Sequence, residues 1–115
     1  MNKEIKFRAW DKTKSKMFYF SFREIHYNGI LEGTDLDNCK IMEYTGLKDI
    51  NGKEIYEGDI VIGRILEEVE GVTYRISQDT FTVKWENLLA GFNLAEYDSF
   101  EVLGNIYENL EKIKE

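Results

Sequence analysis

The 115-residue chain contains no proline, one cysteine and one histidine. The scarcity of cysteine and histidine limits the kinds of site that the chain can form. A single thiol, Cys39, cannot form an intrachain disulfide, which fits a reducing, cytoplasmic compartment. With His26 as the one imidazole, a conventional zinc site has too few ligands and a Ser-His-Asp triad is disfavoured. Because no base partner lies near Cys39 in the sequence, we interpret it as a small, partly buried side chain.

Long apolar segments and nucleotide-binding motifs are also missing. No run of about 18 apolar residues occurs, which excludes a transmembrane helix, and the N-terminus lacks the apolar core of a signal peptide. Neither GxxxxGKS/T nor GxGxxG is present, so no phosphate-binding loop is predicted. We therefore expect a protein that is not an enzyme, needs no cofactor or metal and does not contact a membrane.

Acidic residues outnumber basic ones, and the formal net charge is −7. The imbalance is local, because residues 1–16 hold six basic and two acidic side chains, a balance of +4. The rest of the chain therefore carries −11. Phosphate repulsion makes an acidic chain a poor candidate for non-specific nucleic-acid binding, although the basic N-terminal segment keeps that function as an alternative.

Hydrophobic alternation predicts an N-terminal β-hairpin. Residues 3–10 alternate with the period of two that is typical of a half-buried strand. Residues 11–16 are rich in turn formers, and the aromatic run 17–22 is the returning strand. The alternation places two sets of side chains on opposite faces of the first strand: Ile5, Phe7 and Ala9 on one, and Glu4, Lys6, Arg8 and Trp10 on the other.

Turn signals divide the rest of the chain into short strands. Asn28-Gly29 and Asn51-Gly52 each predict a type I′ turn, in which both central residues have positive φ. Gly58-Asp59 predicts the bend into a long strand, with Asp59 bonding backbone N–H groups at the strand entry. Gln78-Asp79 is interpreted as a break between two strands. The predicted strands are 24–27, 40–44, 60–66, 72–77, 80–85 and 100–107.

The predicted fold is mainly β and has two parts. Residues 1–45 form an N-terminal β-hairpin portion, and residues 46–115 form a small barrel or roll of short, strongly bent strands. Residues 86–99 suit either a loop packed on the barrel or a short helix. Asn109 is a suitable cap for a short C-terminal helical turn, LEKIKE.

Two groups of side chains are candidates for function. Glu54, Glu57 and Asp59 lie close in sequence, but without a ligand motif we interpret them as turn and surface residues. The basic and aromatic residues of the N-terminal hairpin form a candidate partner surface. Core packing is the alternative explanation of its aromatic side chains, and base stacking beside a basic rim is another. The surface comprises Lys6, Arg8, Trp10, Phe18 and Phe20.

Three segments together resemble the YopX family of phage and prophage proteins: IKFRAWD at 5–11, MEYTGLKDINGKEIYEGDIV at 42–61 and EVLGNIYEN at 101–109. The resemblance implies a mostly β protein whose C-terminal portion is an SH3-like barrel. It implies no activity and no catalytic residues. The chain departs from the family pattern at Leu110, where similar proteins often place proline, and residues 63–99 match only loosely.

These observations predict a phage- or prophage-encoded, non-enzymatic protein-binding or assembly module in the host cytoplasm. We expect it to form a homo-oligomer through the aromatic N-terminal hairpin or to bind a phage or host protein. A nucleic-acid-binding accessory protein, using the barrel and the basic N-terminal strands, is the alternative.

Overall fold

The structure is a computed structural model that describes residues 4–21, 38–86 and 91–108. Over these residues the chain is mainly β, with antiparallel pairing throughout and no α-helix. No helix long and apolar enough to cross a lipid bilayer occurs in this part of the chain. The strands are β1 Lys6–Asp11, β2 Lys16–Ser21, β3 Cys39–Lys48, β4 Glu54–Tyr56, β5 Asp59–Val69, β6 Val72–Thr82, β7 Trp85–Glu86, β8 Gly91–Phe92 and β9 Ser99–Asn105.

The predicted N-terminal hairpin is confirmed, and it belongs to a larger sheet. β1 and β2 pair along their whole length, and Asp11 caps the turn between them. Its Oδ1 accepts hydrogen bonds from the N–H groups of Thr13 and Lys14, at 2.9 and 3.1 Å. β3 pairs with the other edge of β1, and β4 pairs with β3, giving the order β2-β1-β3-β4. β1 is therefore an inner strand.

A second sheet has the order β6-β5-β9, and its two longest strands form one continuous hairpin. The predicted break at Gln78-Asp79 was wrong, because both residues lie inside β6, where they pair with Arg64 and Gly63 of β5. Polar side chains on an edge strand face solvent while the backbone ladder continues, so their polarity does not mark a turn.

The real irregularity in this hairpin is a β-bulge at Ile76, an extra residue between two consecutive pairs of the ladder. β9 pairs with β5 only along residues 59–64. Residues 65–76, here named the arm, therefore form a two-stranded ribbon without a third strand among the described residues. The turn at the tip is Glu70-Gly71, with φ of 51° and 80°, as a type I′ turn requires.

The turn at Asn51-Gly52 is not the predicted type I′ turn. Gly52 has a φ of 82°, but Asn51 does not have positive φ. Asp49 and Lys53 close the turn through a backbone hydrogen bond of 2.8 Å, and the Gly52 N–H donates to the Asp49 carbonyl at 3.0 Å. The Asp49 carboxylate is the physical reason, because its Oδ1 accepts the N–H groups of Asn51 and Lys53, both at 2.9 Å.

The apolar core lies where β4, β5 and β9 meet the β7–β8 region. β-branched residues dominate the start of β5, which suits a strand covered on both faces. Full burial of one such side chain stabilises the fold by about 1.5–3 kcal/mol. Leu94, from the segment predicted as loop or helix, packs in this core from a turn. The buried cluster is Ile55, Val61, Val83, Leu94 and Phe100.

Some predictions concern features that the described residues do not confirm. Their hydrogen-bonded sheets do not close on themselves, so the SH3-like barrel is not confirmed. The predicted domain boundary at residue 45 falls inside β3. The strand at 24–27, with His26 and the Asn28-Gly29 turn, lies outside the described residues, as does the C-terminal turn at 110–115.

Candidate functional site

The five residues of the predicted partner surface do not share one exposed face. Arg8 and Phe20 are buried, each with 3% of its surface exposed, and Lys6, Trp10 and Phe18 are half-buried. Arg8 does not reach solvent as a surface residue would, because the Tyr56 ring, the Glu57 carbonyl and the Asp59 carboxylate cover its side chain. Partner binding by this set stays a prediction. Of the five side chains, Lys6, Trp10 and Phe18 are the ones that reach solvent.

Arg8 forms a buried ion pair that joins β1 to the start of β5. Its Nη1 lies 2.9 Å from Asp59 Oδ1, and its Nη2 donates to the Glu57 carbonyl at 3.0 Å. The guanidinium carbon lies 5.0 Å from the ring centroid of Tyr56, a cation–π contact. Nε is buried without a hydrogen-bond partner among the described residues. These contacts replace most of the hydration that the buried charge loses.

Asp59 has the role that its position after Gly58 predicts. It is 1% exposed, and its Oδ2 accepts the Tyr56 N–H at 2.8 Å. Burial raises the pKa of Asp59, although the Arg8 charge and the Tyr56 N–H oppose the shift. Gly58 has a φ of 90°, and a Cβ there would lie 2.9 Å from Met42 Sδ. Only glycine fits this left-handed, crowded position.

The remaining carboxylate of this segment with a side-chain partner is Glu54, which forms an ion pair with Lys6. The hydrogen bond to Glu54 raises the pKa of Lys6. Burial, followed by the Glu54 charge, raises the pKa of Tyr56 to about 12. No group of three His, Cys, Asp or Glu side chains suited to a metal ion occurs within residues 4–21, 38–86 and 91–108. Glu54 and Asp59 therefore act as structural charges.

The hairpin aromatics pack mainly on other aromatic side chains. Phe20 lies 5.7 Å from both Phe7 and Phe18, measured between ring centroids. Trp10 stacks on Tyr107 with a centroid distance of 6.1 Å. This arrangement favours core packing as the explanation of the aromatic hairpin.

A cleft of about 900 Å³ lies between the Asp49 turn, β7–β8 and the segment that precedes β9. Three large apolar side chains on its lining are substantially exposed: Leu47 at 44%, Ile50 at 58% and Trp85 at 46%. Trp85 meets Phe92 edge to face, with ring centroids 5.3 Å apart. The volume lies within the range of ligand-binding pockets. No sequence pattern predicts this cleft, because its lining comes from segments far apart in the chain.

Asp49 ties the turn beside the cleft to β9. Besides its bonds within the turn, its Oδ2 accepts the Val102 N–H at 2.9 Å, and the adjacent Ile50 N–H donates to the Phe100 carbonyl at 2.9 Å. Burial favours a higher pKa of Asp49, but the three backbone N–H donors outweigh it and hold the pKa below its usual value. Asp49 is therefore a structural carboxylate, and the Asp-x-Asn-Gly spacing is the sequence signal that marks it.

The other acidic and phenolic groups of the cleft are also bonded. Asp98 Oδ2 accepts the Leu66 N–H at 2.7 Å, and the Tyr97 hydroxyl donates to Asp79 at 3.0 Å. Lys48 differs from Asp49 and Asp98 in that its side chain has neither an ion pair nor a hydrogen bond among the described residues. The described lining residues thus offer apolar contact and an available ammonium group.

Comparison with known proteins places this architecture in a family. A family model for the YopX protein matches residues 6–114, nearly the whole chain. The chain belongs to the YopX family. No curated protein matches this YopX-family chain in sequence. The crystal structure of protein EF1440 from Enterococcus faecalis is similar, with a TM-score of 0.59 and 21% identity over 97% of this chain and 99% of that chain.

At that identity, the likeness to the Enterococcus faecalis protein concerns the fold alone. The YopX match confirms the family resemblance that the three sequence segments carry. Neither finding assigns a reaction or a ligand.

Proposed function

We propose that this YopX-family protein is a phage- or prophage-encoded, non-enzymatic protein-binding or assembly module of the host cytoplasm. Its contact surface is the cleft, which accepts an apolar segment of a partner protein. One observation carries the proposal: Leu47, Ile50 and Trp85 expose apolar surface around a cavity whose carboxylates are already bonded. Exposed apolar surface with a polar rim is typical of interaction sites.

The chemistry of the lining favours binding over catalysis. General acid–base catalysis needs a titratable group within reach of substrate, with its pKa near the working pH. Asp49 is held ionised by backbone donors, and Asp98 is bonded to the Leu66 N–H. Lys48 adds a positive charge at the lining, so the preferred segment has apolar side chains next to a carboxylate.

Selection from a random peptide library on the immobilised full-length protein tests this proposal. We expect the selected peptides to combine large apolar residues with Asp or Glu. Their affinity, measured by calorimetry, should fall about tenfold or more in an Ile50→Ser variant, because the variant loses exposed apolar contact area in the cleft.

Tyr19→Ser is the matched control, because Tyr19 is 56% exposed on β2, which contributes no residue to the cleft lining. Peptide affinity should be unchanged in this variant. The proposal is wrong if the library yields no binder, or if its binders respond to Tyr19→Ser and not to Ile50→Ser.

Nucleic-acid binding is the second candidate, and the β1–β2 turn supports it. Lys12, Lys14 and Lys16 are exposed there and have no ion pair among the described residues. The net charge of −7 opposes this function. Single- and double-stranded oligonucleotides should show mobility shifts at low salt that disappear as salt rises. Absence of any shift at low salt excludes it.

Self-association belongs to the proposal, but the N-terminal hairpin is now a weaker route to it. Two of its five candidate residues, Arg8 and Phe20, are buried within one chain. The SH3-like barrel also stays a prediction. More exposed apolar surface lies around the cleft and along the arm.

A further inference from the structure

The arm exposes four large apolar side chains although it is a ribbon of two strands. Val69, Val72, Tyr74 and Ile76 are between 48% and 58% exposed. By the strand register, Val69 lies opposite Val72 and Glu67 opposite Tyr74, so the three apolar side chains Val69, Val72 and Tyr74 share one face with Glu67. An isolated two-stranded hairpin is marginally stable in water, and stability needs a further strand or a packing partner. The arm is therefore a surface that gains from being covered.

The tip of the arm combines apolar and acidic groups. Glu68 precedes Val69 on the opposite face of the ribbon, and Glu70 follows it in the turn; both glutamates are exposed without an ion pair among the described residues. Glu70 has a φ of 51°, in the left-handed region that Asn and Gly adopt at lower cost. A carboxylate is thus present at the tip despite a backbone penalty, and such outliers point to function.

The cleft is complementary to this tip in both respects. Its apolar lining, with Leu47, Ile50 and Trp85, matches the two valines. The ammonium group of Lys48 has the charge opposite to that of Glu68 and Glu70, and opposite charges across an interface fix orientation and speed association.

We infer that the arm tip of a second copy of this chain docks in the cleft, and that two copies exchange arms reciprocally. The inference rests on the proposed function, because it names the segment that the cleft binds. The arm starts at the cleft wall, where the Leu66 N–H is bonded to Asp98. Four or five residues of strand put the tip about 15 Å away. Two arms that run antiparallel side by side then bring each tip to the other copy's cleft, which closes a two-fold dimer.

Two further observations favour this arrangement over pairing between the β6 edges of two copies, an edge that carries no further strand among the described residues. The bulge at Ile76 interrupts that edge, and bulges on edge strands oppose the addition of another strand. Arm and cleft together offer about two dozen residues per copy, the number that stable interfaces use. The same contact covers the apolar face of both arms.

Sedimentation of the full-length protein over a range of concentrations tests the inference. We expect reversible formation of a species with twice the 13.6 kDa mass of one chain. Lys48→Glu, and separately the double variant Glu68→Lys/Glu70→Lys, should each weaken the dimer about tenfold or more, because each places like charges in contact. Lys12→Glu, an exposed charge reversal on the β1–β2 turn, is the control and should leave the dimer unchanged.

Mixing the two charge-reversed proteins is the decisive step. The arm of Lys48→Glu is acidic and meets an unaltered cleft, while the basic arm of Glu68→Lys/Glu70→Lys meets a cleft with Glu at position 48. Both contacts are then complementary, so the mixture should form a heterodimer at a concentration at which each protein alone is mainly monomeric. A mixture that stays monomeric overturns the inference, as does a wild-type protein that is monomeric at every concentration.

The outcomes also separate this inference from the proposed function. If library peptides bind the cleft and the wild-type protein is monomeric, the binding module stands and arm exchange is wrong. If the wild-type protein dimerises and Lys48→Glu has no effect, the dimer uses another surface and arm exchange is again wrong. If no peptide binds and arm exchange is demonstrated, the cleft serves self-association alone.

Discussion

The two ends of β5 differ in their surroundings although they belong to one strand. Its first residues are buried, and Gly63 leaves room for the rings of Tyr97 and Phe81. Its last residues, Glu67, Glu68 and Val69, are exposed on the arm. Both ends pair with β6 in the same antiparallel way. What separates them is the cover on their faces and the presence of β9, so strand propensity alone does not decide burial.

The buried end is fixed by contacts within one chain, and the exposed end has apolar side chains that the described part of the chain leaves uncovered. Perturbation of the buried end should therefore reduce the stability of the monomer. Perturbation of the arm should affect association while leaving the monomer stable.

The largest expected effect is at the Arg8–Asp59 pair, where β5 starts. Arg8→Met leaves the Asp59 carboxylate buried without its counter-ion, and we expect the free energy of unfolding to fall by about 3–5 kcal/mol. Urea unfolding at neutral pH measures this change. The double variant Arg8→Met/Asp59→Asn removes the uncompensated charge and retains an acceptor for the Tyr56 N–H, so it should be more stable than Arg8→Met alone.

The pH dependence of Arg8→Met provides a second measurement. Burial raises the pKa of Asp59 above its unfolded value of 3.8, and loss of Arg8 removes a charge that opposes this shift. Protonation then favours the folded state, so the instability is complete above the folded pKa and shrinks as pH falls toward 3.8. A deficit that is constant with pH contradicts this account.

The next effect concerns Asp49, a carboxylate of the buried region. Asp49→Asn places an amide N–H₂ group against a backbone donor, which should cost about 1–3 kcal/mol in the free energy of unfolding. The pKa of Asp49 is lowered, so its contribution is present above 3.8 and is lost as pH falls through the folded value. The difference between wild type and variant should therefore shrink below pH 3.8.

Glu68→Gln on the arm is the matched control for Asp49→Asn, because Glu68 is exposed and has no ion pair among the described residues. Its unfolding free energy, measured at a protein concentration low enough to keep the chain monomeric, should equal that of the wild type. Equal effects of the two substitutions would remove the distinction between the buried region and the arm.

Two glycines give a comparison of similar size within the β5–β6 hairpin. At Gly63 a Cβ would lie 2.7 Å from Tyr97 Cδ1 and 2.9 Å from Phe81 Cε1, so Gly63→Ala should cost about 1–3 kcal/mol by overpacking. At Gly71 nothing lies within 4 Å of a Cβ, and only the φ of 80° resists substitution, at about 1 kcal/mol. Thermal unfolding of both variants should place Gly63→Ala lower, and the opposite order contradicts the steric account.

The smallest expected effect has the opposite sign. Glu70→Asn replaces a strained residue by one that tolerates positive φ, and it should raise the unfolding free energy of the monomer by about 0.5–1 kcal/mol. Denaturation at low protein concentration checks this gain. The same variant should weaken the dimer, because one of the two tip carboxylates is lost. Improvement of both properties would mean that the Glu70 carboxylate has no role in association.

Sequence patterns predict those parts of the fold that local neighbours determine. The β1–β2 hairpin follows from alternation and turn formers, and the role of Asp59 follows from its position after Gly58. The interval between the predicted strands 60–66 and 72–77 contains the turn, although β5 continues to Val69 and the type I′ geometry belongs to Glu70-Gly71 and not to Asn51-Gly52. In each case a few adjacent residues contain the whole physical cause.

Features with distant causes could not be predicted in this way. Arg8 is buried because Tyr56, Glu57 and Asp59, about fifty positions further along the chain, cover its side chain and because Asp59 supplies the counter-ion. The cleft forms only when Leu47 and Trp85 lie on the same surface, and no single sequence segment contains both. The Asn51-Gly52 prediction failed because it considered the dipeptide without the Asp49 carboxylate two residues earlier.

The bonds between the Asp49 turn and β9 have a consequence for the time at which the protein is completed during synthesis. The hydrogen bonds from the Val102 N–H to Asp49 and from the Ile50 N–H to the Phe100 carbonyl can form only after residues about fifty positions further along the chain have been synthesised. Long-range closures of this kind form late and fold slowly. A nascent chain that ends before β9 lacks one wall of the cleft and the second neighbour of β5. Translation therefore yields the complete cleft only when β9 has emerged.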